Sequence, residues 1–179
     1  VSTINEHKNC ETLLRGYAKL PEQIRAEFRL VIAGRNSAPS YFETLQRILD
    51  EEGIENQVEF LGEVPYRLVP YLYEHATAYV LPSKLETFGH TLVEATVSGT
   101  PVVAADATCI PEITDGAASL FDPDEPAELA ESLEEVLTDE TVHDKLVDAG
   151  RNRAAAFSWD KTVERTRELL KAVVEGKLS

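Results

Sequence analysis

Residues 86 to 94 read Glu86-Thr-Phe-Gly-His-Thr-Leu-Val-Glu94. An apolar run, Ala78-Tyr-Val-Leu81, and a Pro82-Ser83 turn precede them, and a helical pattern ending near Ser98 follows. A strand therefore hands over to a helix here, with an acid on either side of the junction. The first turn of a helix leaves backbone N–H groups unpaired and carries roughly half a positive charge. An anion is favoured at that point, and Gly89 lets it come close to the backbone. The stretch implies a phosphate-bearing ligand held between Glu86 and Glu94.

Working outward, strands alternate with helices along the whole chain. Val1-Ser-Thr-Ile4 is an apolar run that reads as a strand, and a polar turn, Asn5–Asn9, follows it. A helix is expected from Cys10, with Asn9 as its N-cap and Leu13, Leu14, Tyr17 and Ala18 on its apolar face. Phe28–Ala33 reads as the second strand, Val58–Leu61 as the third and Ala78–Leu81 as the fourth. Thr100–Ala104 is the fifth and Ala117–Phe121 the sixth. Between and after them lie helices over Tyr41–Glu52 (stopped by Gly53), Leu68–His75, Pro126–Leu137, Thr141–Phe157 and Lys161–Glu175. Such alternation predicts an α/β fold, a Rossmann-like doubly wound parallel six-stranded sheet in one domain over residues 1–179.

With right-handed crossovers the expected strand order is 3-2-1-4-5-6. Strands one and four are then neighbours, and ligands bind where the winding reverses, outside the carboxyl ends of the strands. The loops at that place are Asn5–Asn9 and Pro82–His90. Topology thus selects the opening stretch without any motif and adds Lys8 beside it. A lysine there offsets the charge of a diphosphate. For Glu94 two readings stand. Thr91-Leu-Val-Glu94 fits a capping box; a helix starting at Gly89 or His90 instead puts Glu94 on its second turn, free to accept ribose hydroxyls.

Composition narrows the function classes. With 17 Lys and Arg against 32 Asp and Glu, the formal charge is −15, which argues against nucleic acid and anionic membrane as partners. The same acidity is compatible with a high-salt cytoplasm. No apolar run is long enough to span a bilayer and no signal peptide is visible, so a soluble cytoplasmic domain is expected, without direct membrane insertion. Cys10 and Cys109 give neither a disulfide framework nor metal-ligand spacing, and His7, His75, His90 and His143 show no ligand spacing either. Asp122-Pro-Asp124 looks like a metal-binding acid pair, but it precedes the helix at Pro126 and is expected to cap it; no metal site is expected. Neither G-x-G-x-x-G nor a phosphate loop ending Gly-Lys-Ser/Thr is present. The lack of Met and the strand-like start at Val1 point to a piece of a longer protein.

Glu86-x7-Glu94, preceded by Leu81-Pro-Ser83 and followed by Ala95 and Ser98-Gly-Thr-Pro-Val-Val103, resembles the family-4 (group 1) retaining glycosyltransferases of the GT-B fold. Lys8-Asn9 with Glu11-Thr-Leu-Leu14, Leu30-Val-Ile-Ala-Gly34, Phe60-Leu-Gly62, Ile110-Pro-Glu112 and Phe157-Ser-Trp159 extend the likeness over essentially the whole chain. The resemblance implies a C-terminal donor-binding half, whose N-terminal acceptor domain lies outside this sequence. It implies that Glu86, the residue assigned to catalysis, and the amides of Phe88 and Gly89 hold the donor sugar. Lys8 and the amides of His90, Thr91 and Leu92 would hold the diphosphate and Glu94 the ribose, with Gly34 and Val64 bordering the base. A hexosyl group would pass from a nucleotide diphosphosugar, GDP- or UDP-linked, to an acceptor hydroxyl with retention, needing neither cofactor nor metal.

Two positions depart from the family pattern: Thr3 and His7 stand where arginines occur in many members and in a related group, which leaves Lys8 a larger share of the phosphate charge. The Val-x-Thr-Ile-x-x-x-Lys-Asn start is most similar to mannosyltransferase-type members and hints at GDP-mannose. The resemblance also implies that the last helix, about 159–176, crosses to the acceptor domain, so that residues past roughly Val163 fray or pack on a neighbouring molecule here. By itself the domain would bind donor or product nucleotide and turn nothing over, and the full-length enzyme would be cytoplasmic or membrane-peripheral. The same donor half would also serve a non-catalytic nucleotide-sugar-binding regulatory module or a GT-B-type sugar epimerase.

Overall fold

A computed structural model describes residues 1–177; the last two positions of the expected domain, 178 and 179, lie outside the described residues. After a 3-10 turn at Glu6–Lys8 the chain forms α1 (Cys10–Lys19), α2 (Glu22–Glu27), β1 (Leu30–Ala33), α3 (Pro39–Glu52) and β2 (Val58–Gly62). A second 3-10 turn at Tyr66–Leu68 leads into α4 (Val69–Glu74), β3 (Tyr79–Leu81) and α5 (His90–Val97). Then come β4 (Val102–Ala105), α6 (Ile110–Thr114), β5 (Ser119–Phe121), α7 (Pro126–Thr138), α8 (Glu140–Ala154) and α9 (Trp159–Val174). Every strand pairing is parallel, as the alternating pattern predicts. No helix of the described residues is long and apolar enough to cross a membrane.

The expected six-stranded sheet is not found. Among the described residues five strands form two sheets, one of order β1-β2 and one of order β3-β4-β5. The break falls at the expected first strand. Val1–Ile4 runs beside the carboxyl end of β1, with Ser2 N–H donating to Ala33 O and Ile4 N–H to Arg35 O, both at 2.9 Å. That register carries the segment past Leu30–Ile32 rather than alongside them. Only an isolated bridge, Ile4 to Asn36, results. An opening of about 480 Å³ separates β1 from β3 below it, lined by Val31, Ile32, Tyr79 and Val80 among others. Within each sheet the neighbours are those of the predicted order, while the ladder that would join the two sheets through the first strand is not formed.

Burial explains which strand is central. All four residues of β4, Val102-Val-Ala-Ala105, are 0% exposed, as expected for a parallel strand covered on both faces. Leu14, Leu45, Leu92 and Leu129 bring α1, α3, α5 and α7 onto the same core. Gly53 ends α3 as expected: it is left-handed at φ 65° and its N–H bonds back to Leu49 O. Two short helices escape a periodicity reading, because α2 and α6, with six and five residues, are too brief to show one.

Two expected caps are corrected. Asn9 does occupy the position before α1, but its backbone is left-handed at φ 52° and its side chain caps nothing. Its Nδ2 instead donates to Pro82 O at 3.1 Å and Pro123 O at 2.8 Å, tying two loops to α1. Asp122 and Asp124 do not cap α7 either, since Glu125 stands at that N-cap. Asp122 accepts from Asp124 N–H in a local turn, and Asp124 pairs with Lys84.

Candidate functional site

At the carboxyl end of β3 the chain turns through buried Pro82 and Ser83, passes exposed Lys84 and Leu85, and reaches α5 through half-buried Glu86 and Phe88 and buried Gly89. Lys84 N–H donates to His7 O at 3.0 Å, so the two loops named by the switch-point argument do meet. Gly89 precedes α5 in the left-handed region, at φ 74° and ψ 55°, a conformation in which a side chain would be strained. Its place there sets the direction of the helix start. The N–H groups of Phe88, Gly89, His90 and Thr91 take no backbone acceptor among the described residues. Leu92 N–H is already bonded to Gly89 O at 2.9 Å, so two of the three amides assigned to the diphosphate are unengaged. A run of unpaired amides at a positive helix end is an anion cradle.

The two acids flank this cradle in different ways. Glu86 Oε1 lies 2.6 Å from Lys8 Nζ, and the two side chains are only 11% and 22% exposed. The pair unites the residue assigned to the sugar with the residue assigned to the diphosphate. Glu94 is the fifth residue of α5, which rules out the capping box. Its carboxylate accepts from Tyr66 Oη at 3.2 Å and Tyr73 Oη at 3.1 Å. The negative charge of Glu94 pushes the Tyr66 phenol upward, and burial first, with Glu94 helping, does the same to Tyr73.

Tyr66 lies two residues beyond Val64, so the half-buried Val64 turn and Glu94 belong to one side of the site. At Gly34 the structure supplies its own reason for a glycine: a Cβ there would sit 1.4 Å from Ser2 O. Gly34 N–H also bonds to Gly62 O at 2.8 Å, holding its loop to the end of β2. Phe88 is fixed from the other end of the chain. Its ring meets His90 at 4.7 Å and stands edge-on to Phe157 at 5.6 Å, while the Arg153 guanidinium lies 4.9 Å from the Phe157 ring. Arg153 also donates to Glu112 O and Ile113 O, both at 2.8 Å. The distant segments around Ile110-Pro-Glu112 and Phe157-Ser-Trp159 thus converge behind the Phe88-Gly89 loop.

Sequence reasoning missed four contacts to the acids. Tyr66 and Tyr73 carry no motif, although the stretch after the Val64 turn is rich in tyrosine, with Tyr66, Tyr71 and Tyr73. Thr108 Oγ1 accepts from Glu86 N–H at 3.2 Å, and the Cys109 thiol donates to Glu86 O at 3.4 Å. No signal in the sequence announces these, since they depend on how the turn after β4 meets the loop after β3.

The family model described as Glycosyl transferases group 1 matches residues 1–153. The O-antigen chain mannosyltransferase B of Escherichia coli is 29% identical over 166 residues, covering 93% of this chain and 43% of that protein. A D-inositol 3-phosphate glycosyltransferase of Mycolicibacterium smegmatis is 36% identical over 168 residues, covering 92% and 37%. Among solved structures, Anabaena HepE in complex with UDP and glucose superposes with a TM-score of 0.85 at 24% identity, over 96% of this chain and 47% of that one. The chain spans less than half the length of each of these proteins. The fold, the ordered motifs and the matched family agree: this chain belongs to the group 1 glycosyl transferases.

Proposed function

We propose that the chain is the donor half of a retaining hexosyltransferase, binding a nucleotide diphosphosugar, GDP- or UDP-linked, without a cofactor or a metal. The observation that carries this reading is the cradle of unpaired amides from Phe88 to Thr91, flanked by Glu86 paired to Lys8 and by Glu94 held between two phenols. Free amides and a lysine suit the charge of a diphosphate, which also grows on that group as the sugar leaves. Carboxylates suit hydroxyls on either side: Glu86 the sugar, Glu94 the ribose. Gly34 and the Val64 turn border the base. A mannosyl donor has the support of the E. coli relative, and a UDP-linked one that of the HepE complex.

The acceptor half belongs to the part of the relatives this chain does not span. Its docking face is α9, whose Trp159, Val163, Leu170 and Val174 are 77%, 64%, 62% and 86% exposed. The chain alone therefore binds donor and transfers nothing. Titration calorimetry with UDP, GDP and ADP tests this: one of them binds and identifies the base. Folded protein that binds none of the three overturns the reading.

A further inference from the structure

Glu86 lies on a loop, so neither a helix nor a strand aims its side chain. The turn after β4 does the holding instead. Glu86 N–H donates to Thr108 Oγ1 at 3.2 Å, and Glu86 O accepts from the Cys109 thiol at 3.4 Å. The turn itself is well anchored: Asp106 N–H bonds to Phe121 O at 2.8 Å, Ala107 N–H to Ala105 O at 2.9 Å and Ile110 N–H to Ala107 O at 3.1 Å. Backbone donor and acceptor of residue 86 are thus both tied to one rigid turn.

Thr108 does this from an unfavourable conformation. Its φ is 51°, the left-handed region, where a β-branched residue is a genuine outlier. Glycine would occupy that region freely. A strained side chain persists where the surrounding structure over-determines it, and such positions cluster at ligand clamps. Thr108 is exposed, so core packing does not explain the choice of side chain. What its hydroxyl does here is accept from Glu86.

We propose that Thr108, with Cys109, is a positioning residue for the donor sugar: it fixes the backbone of Glu86 so that the carboxylate meets the sugar hydroxyls. The inference rests on the donor reading of Glu86. Its test compares the affinity of the chain for a nucleoside diphosphate with that for the matching nucleotide sugar, as UDP against UDP-glucose and GDP against GDP-mannose. The ratio isolates the contribution of the sugar. Thr108→Gly should reduce that ratio roughly five- to tenfold, the worth of about one ordinary neutral hydrogen bond. Its melting temperature should hold or rise, because glycine relieves the left-handed strain. Thr108→Ser keeps the hydroxyl and should restore the ratio. A merely structural Thr108 would move ratio and melting temperature downward together. A Thr108→Gly chain with the wild-type ratio overturns the proposal, as does a loss that comes only with lost stability and is not rescued by serine. A wild-type chain that binds no nucleotide defeats the donor reading and this inference with it, whereas nucleotide binding with a Thr108-independent ratio defeats this inference alone.

Discussion

Lys8 and Glu86 neutralise each other across the cleft, and that makes each the other's competitor for ligand. Under the donor reading proposed above, a diphosphate would offer Lys8 more negative charge than one carboxylate, so binding would draw the ammonium toward the helix start and free Glu86 for hydroxyls. Lys8→Met should therefore weaken binding of the nucleoside diphosphate by about 10- to 100-fold, the worth of a charge-assisted bond of about 1.5–3 kcal/mol. Binding of the bare nucleoside should change little, and calorimetry with both ligands separates the effects. Equal losses for both would show that Lys8 acts on the fold rather than on phosphate. The positions of Lys8 and Glu94 were legible because loop order and helix phase follow from periodicity. Asn9 was not: its residue type favours a cap, yet its left-handed backbone turned the amide to Pro82 and Pro123 instead. Thr108 was hidden more deeply, since left-handed backbone is ordinary for an asparagine but leaves no mark in the sequence at a threonine.

Elements with long periodic faces read well, and those with short ones did not. α3 and α7 lie within a residue or two of their expected spans and α8 stops three residues short of its own, whereas α2 and α6 passed unseen and the first strand failed to pair. The last helix was legible as a helix, but its surroundings were not. α9 has no buried residue, and an amphipathic stripe of Trp159, Val163, Leu170 and Val174 faces outward. A 16-residue helix without packing partners is marginal in water. Truncation after Ser158 should accordingly leave the urea midpoint of the remaining domain within the scatter of measurement, since the Phe157 contact to Phe88 is kept. In the intact chain, the lone Trp159 should show solvent-exposed fluorescence, and the amides of α9 should exchange long before those of β4. A truncation that lowers the midpoint clearly, or slow exchange along α9 in a monomer, would contradict this.

At the scale of the molecule, the fold is set by a wholly buried β4 packed against α5, α7 and α8, and at neutral pH the formal charge is −15. The alkaline side is different, because several acids are buried in their neutral form. Cys10 is 5% exposed at the first position of α1, where a helix end favours the thiolate. Burial wins and pushes the thiol up to about 11 from a reference value of 9.0. Burial also raises Tyr17, Tyr41, Tyr73 and Tyr79 above the ordinary phenol value. In each case the folded state keeps a proton that the unfolded chain releases. Stability is then fully present below the unfolded pKa and falls as pH rises, first through Cys10 between pH 9.0 and about 11, then through the tyrosines above pH 10.0. The Cys10 share is about 2–3 kcal/mol for a shift of this size. Urea unfolding of the wild type and of Cys10→Ala, both followed from pH 8 to pH 11, isolates it. Growth of the net negative charge and the tyrosine contributions are common to both proteins and cancel in the difference. The two stability curves should converge as pH rises through that window. Curves that stay parallel would show that Cys10 ionises in the folded state as readily as in the unfolded one.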